Sequence, residues 1–98
     1  MRYEGKLLGQ DFVLETSPGG KWELDDYGQY HPDSRRIVVR TGLHPDLLKH
    51  TILHEVVHCL ESTMYLKLSE RDVDNIALGV LSLIRDNPEL IELIQREN

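Results

Sequence analysis

Residues 45–64 read "PDLLKHTILHEVVHCLESTM", and the period of this stretch decides what kind of fold the chain can have. Leu48, Ile52, Val56, Leu60 and Met64 recur every four residues, with Leu53 and Val57 filling the stripe between them. Apolar residues so spaced share one side of a helix, so the pattern predicts an amphipathic helix over 45–64. Pro45 suits its first turn, where the missing N–H has no intrahelical partner to lose.

Upstream of this helix the period is shorter. "DFVLE" at 11–15, "KWEL" at 21–24 and "RRIVVR" at 35–40 read as strands, separated by the turn-forming clusters Ser17-Pro18-Gly19-Gly20 and His31-Pro32-Asp33-Ser34. The β-branched run Ile37-Val38-Val39 marks the strand expected to be covered by helices. Downstream, Ser69 can cap a second helix with Val73, Ile76, Ala77, Val80, Leu81 and Ile84 on one face. Asp86-Asn87-Pro88-Glu89 ends it and opens a short third helix, "PELIELIQRE", expected to pack on the chain's own core, the alternative being an exposed apolar helix compatible with a dimer. The expected fold is α+β: a small antiparallel sheet of about three strands, then a long helix, a second helix and a short C-terminal one.

Ninety-eight residues bound this to a single domain, 1–98, with ordinary globular composition. A formal net charge of −6 argues against nucleic acid, whose affinity comes mainly from neutralising phosphates with Lys and Arg. The one cysteine, Cys59, excludes an internal disulfide framework and reads as a small buried hydrophobe. No apolar run is long enough for a bilayer, and the opening "MRYEGKLLGQDF" has no apolar secretory core, so no membrane association and a cytoplasmic location are expected.

Within the long helix, His54 and His58 stand four residues apart, hence one turn apart on the same face, and can aim one imidazole nitrogen each at a single ion. Glu55 is offset by about 100° and can reach a water on that ion from the side without being a ligand, which is the placement of a general base. The competing reading is a structural histidine pair. Neutral histidines in an apolar stripe are costly to bury without partners, which favours a metal.

"TILHEVVH" resembles the active-site helix of the zincin metallopeptidases, and the chain as a whole resembles the very small phage and prophage HExxH metallopeptidase-like proteins related to the minimal gluzincins. The metzincin branch does not fit, because its pattern needs Gly at 61 and His at 64, where this chain has Glu61 and Met64. In gluzincins a carboxylate on a second helix is the third ligand, and Asp74-Asn75-Ile76-Ala77 is similar to that arrangement with Asp in place of Glu. Glu70, four residues earlier, competes with it, since the gluzincin ExxxD pairing fits Glu70 as ligand with Asp74 behind a histidine. Helical rise prefers Asp74: the first helix climbs about 9 Å from His58 to Met64, so a second helix starting near Ser69 descends about six residues before it is level with His58 again.

The resemblance implies zinc-dependent hydrolysis of a peptide or protein, with Glu55 deprotonating water on the ion and "RRIVVR" as the candidate strand for pairing with an extended substrate. Glu61, at i+7 from His54, is too far along the helix to share its ion and reads as a solvated or outer-shell carboxylate. Tyr27, Tyr30, His31 and Tyr65 are candidate oxyanion donors, each more simply a surface or core residue. His44 and His50 read as exposed residues near the helix start, and Trp22 as a core or sheet anchor. The alternative to an enzyme is a non-catalytic metal-binding or protein-interaction module, which the small size favours and the intact Glu55 disfavours.

Overall fold

In the computed structural model, which describes residues 1–18 and 27–96, strands β1 (Arg2–Leu7), β2 (Gln10–Ser17), β3 (Gly28–His31) and β4 (Arg36–Arg40) precede helices α1 (Pro45–Met64), α2 (Glu70–Asp86) and α3 (Pro88–Gln95). The α+β class and the sheet-then-helices order are as expected. The sheet differs in detail. It has four strands in the order β1-β2-β4-β3, and it is mixed, because β2 and β4 pair in parallel while the two outer pairs are antiparallel. After β2 the chain enters the outer strand β3 before turning back into β4, so β4 slots between them with the same direction as β2.

Two of these strands carry no readable signal. β1 ("RYEGKL") is exposed along most of its length, so no buried face imposes an apolar alternation on it. It is held by a two-residue hairpin at Leu8-Gly9, both with positive φ (52° and 78°), the backbone that matches the twist of paired strands. β3 ("GQYH") is four residues long and mostly polar. The expected strand "KWEL" and the anchor Trp22 lie outside the described residues.

β4 supplies the centre of the core, with Ile37, Val38 and Val39 all buried. Its edges are both paired, to β2 and to β3, so it offers no edge to an extended substrate, contrary to the expectation for "RRIVVR". Among the described residues the strand with an unpaired edge next to α1 is β3.

α1 is apolar on two sides. Leu48, Ile52, Val56 and Cys59 pack with Leu14, Ile37 and Val39 of the sheet. Leu53 and Val57 pack instead with Val73 and Ala77 of α2 and with Leu68. Met64, expected in the stripe, is half exposed. Only the first turns of α2 are buried; Ile76 and Ile84 are largely exposed, and α3 buries no residue, so the third helix does not pack on the core as expected. The radius of gyration of 14.0 Å, against about 13 Å for a compact 100-residue domain, reflects this projecting C-terminal arm.

Sheet and helix approach closely at Gly28. A Cβ there would lie 2.8 Å from Thr51 Cγ2 and 3.0 Å from Glu55 Cγ. α1 therefore rests directly on the β3 backbone. Gly28→Ala is expected to destabilise the fold by about 1–3 kcal/mol through overpacking, read as a lower urea midpoint with unchanged slope.

Candidate metal centre

At about 100° per residue, the sheet-facing and α2-facing sides of α1 leave one sector uncovered. His50, His54 and His58 fall in that sector, and Thr51 and Glu55 border it on the β3 side. The sector opens into a cleft of about 960 Å³ whose other walls come from β3, the turn after it and the start of α2.

How α2 reaches the cleft depends on the end of α1. Tyr65 takes a left-handed conformation (φ 56°) and Leu66 N–H donates to the Glu61 carbonyl, which reverses the chain. Leu68 N–H then donates to Glu61 Oε2 at 2.7 Å, drawing the connection back beside α1. Ser69 caps α2 by accepting from Asp72 N–H. α2 thus begins level with His58 and Glu61 and not at the tip of α1, so the premise of the helical-rise argument does not hold.

As a result Glu70, the first residue of α2, faces both histidines. Its Oε2 lies 3.2 Å from His54 Nε2 and its Oε1 3.0 Å from His58 Nε2. The opposite ring nitrogens are backed by other carboxylates: His54 Nδ1 is 3.4 Å from Asp74 Oδ1, and His58 Nδ1 is 3.0 Å from Glu61 Oε1. The histidine rings stand 5.0 Å apart, edge to face. Each imidazole is held from behind by an acidic side chain and presents Nε2 to a common carboxylate.

The Glu70 side chain is 75% exposed, so these contacts contribute little to folding by themselves. His54, Glu55 and His58 each offer a ligand atom within 4.8 Å of the others, so this helical group can hold a metal ion. Glu55 differs from its neighbours in being buried, its stem passing over Gly28. Glu61 has its carboxyl pKa lowered, chiefly by the Leu68 N–H and further by His58.

Of the candidate oxyanion donors, Tyr27, Tyr30 and His31 line the cleft. Tyr30 is packed against the core, where burial raises its pKa, while Tyr65 is 94% exposed and does not line the cleft. His44 caps α1 through Nδ1, which accepts from Asp46 N–H. His50 departs from its expected role: it is half-buried in the cleft wall, with Nε2 2.8 Å from Asp74 Oδ1. The signal for it was present in the sequence, because His50 precedes His54 by the same four residues that separate His54 from His58.

The chain matches no family model, no curated protein and no solved structure. No helix among the described residues is long and apolar enough to cross a membrane.

The lowered pKa of Glu61 has a definite sign. An acid depressed in the folded state stabilises the fold above its ordinary value of 4.5, and this contribution is lost as pH falls through the lowered one. With chelator present, Glu61→Gln is expected to flatten the acid side of the stability–pH curve below that value, as measured by urea unfolding at a series of pH values.

Proposed function

We propose that this cleft is the active site of a zinc-dependent peptidase. His54 Nε2, His58 Nε2 and the Glu70 carboxylate hold the ion, Asp74 and Glu61 orient the two histidines, and Glu55 is the general base. The observation that carries this reading is that one carboxylate faces both Nε2 atoms while each Nδ1 is backed by a carboxylate of its own.

The donor set fits zinc. Two imidazoles and one carboxylate leave a coordination position open, as a catalytic site requires. Glu70 reaches the two Nε2 atoms through different oxygens, at 3.2 and 3.0 Å, so its carboxylate is near enough to share an ion with both histidines. The carboxylates behind each ring fix its orientation and raise its basicity toward a metal. In this assignment Glu70 takes the ligand position that the sequence argument preferred for Asp74. The pair Glu70 and Asp74 then keeps the ExxxD spacing of the gluzincins that "TILHEVVH" resembles.

When bound, zinc supplies a Lewis acid that acidifies a water molecule and polarises the scissile carbonyl. Glu55 takes the proton from the attacking water and returns it to the leaving amine, so no net proton is lost. Its burial between α1 and Gly28 keeps the carboxylate in one place against the histidine face. Tyr27 and His31, which line the cleft on the β3 side, are candidate donors to a developing oxyanion.

An extended peptide would lie along β3. Tyr27 C=O accepts from Arg40 N–H, so by antiparallel alternation Gln29 and His31 point their backbone groups toward β4. The N–H and C=O of Gly28 and Tyr30 point the other way, where a substrate strand can pair with them beside the histidines.

Purified protein is expected to hold about one zinc per chain by elemental analysis, and His54→Ala to lose it. Glu55→Gln is expected to keep the zinc and lose peptidase activity by about 10²–10⁴-fold, assayed against a mixed peptide library by mass spectrometry. Zinc binding without hydrolysis in the wild type would support the non-catalytic module instead.

A further inference from the structure

The peptidase reading leaves one member of the histidine row without a task. His50, His54 and His58 follow one another at four-residue intervals, so α1 contains two overlapping pairs able to chelate, and the first site uses only the second pair. We propose that His50 Nε2, Asp74 Oδ1 and His54 Nδ1 form a second site for Zn²⁺, one turn toward the start of α1 and sharing His54 with the first.

The three donors converge on one another. Asp74 Oδ1 stands 2.8 Å from His50 Nε2 and 3.4 Å from His54 Nδ1. These separations bracket the roughly 3.3 Å between neighbouring donors around a tetrahedral zinc. One ligand atom from each of the three residues lies within 4.8 Å of the others, and all three residues are half-buried. His50, His54 and Asp74 all line the cleft, so a fourth position is open to water. Two nitrogens and one oxygen suit zinc, whereas magnesium or calcium prefers an all-oxygen shell.

Sharing His54 makes the two sites antagonists. A neutral imidazole has one nitrogen that accepts and one that carries the proton. When Nε2 takes a metal, Nδ1 carries the proton and donates to Asp74. When Nδ1 takes a metal, Nε2 carries the proton and the first site loses a ligand, and Asp74 no longer orients the ring for it. By linkage each ion weakens the other by the same factor. The second site therefore gives the protein a response to excess zinc that acts on the first site through one shared ring. This goes beyond the peptidase reading and does not need it, since the three donors exist whether or not peptide is cleaved.

The test is equilibrium titration of ZnCl₂ against a chromophoric chelator, with each variant checked for folding by circular dichroism. His58→Ala, which breaks the first site, is expected to retain about one Zn²⁺ per chain. Adding His50→Ala to it should weaken that binding at least about tenfold, and adding the near-isosteric Asp74→Asn should do the same if the His50 variant unfolds. In the otherwise intact protein His50→Ala should leave the first ion bound as tightly or more so. The proposal is overturned if His58→Ala binds no zinc, or if it binds equally well with and without His50. A wild type that binds zinc no more tightly than His58→Ala would instead remove the first site and leave the second standing.

Discussion

The cleft depends on α1 being gripped from two directions while one sector stays open. Leu48, Ile52, Val56 and Cys59 are committed to the sheet, Leu53 and Val57 to α2, and no rotation of the helix can satisfy both sets while hiding the histidines. Gly28 sets the remaining distance. Because it has no side chain, α1 settles onto β3 closely enough to bury Glu55, and the histidines, a little further round the helix, are left facing the cleft. The orientation of the polar site is thus a by-product of apolar packing on either side of it.

The charges around the cleft point to a cation. Glu55, Glu61, Glu70 and Asp74 all line the wall that carries the three imidazoles, so four carboxylates face one cleft, and a cation there would relieve their mutual repulsion. Glu61 shows how the fold prepares for this, since its carboxylate is held by the Leu68 N–H as well as by His58. One residue thus ties the α1–α2 connection to the ring orientation of a candidate ligand. The same connection brings Glu70 to the two Nε2 atoms.

What could be read from the sequence follows the strength of local periodicity. The long helix, its histidines and the start of α2 were legible because apolar spacing and Ser69 capping are local properties. β1 and β3 were not, since an exposed strand and a four-residue polar strand leave no alternation, and the parallel pairing of β2 with β4 is a matter of topology. The competition between Glu70 and Asp74 turned on where α2 begins in space. A left-handed Tyr65 and a side-chain bond to Leu68 decide that, and neither can be seen in the spacing of apolar residues. His50, expected to be exposed, lies in the cleft wall because it shares the four-residue interval, and hence the helix face, of His54 and His58.

Every donor that faces the first candidate ion, and both carboxylates behind the histidines, come from the helical hairpin formed by α1 and the first two turns of α2. Glu55 is the exception in what shelters it, because its burial is completed by Gly28 of the sheet. Peeling β3 away from α1 would therefore leave the candidate ligands together while exposing Glu55 to bulk water. On the proposed reading the ligands lie within the helical hairpin while the shelter of Glu55 needs the sheet as well, and partial unfolding would separate the two.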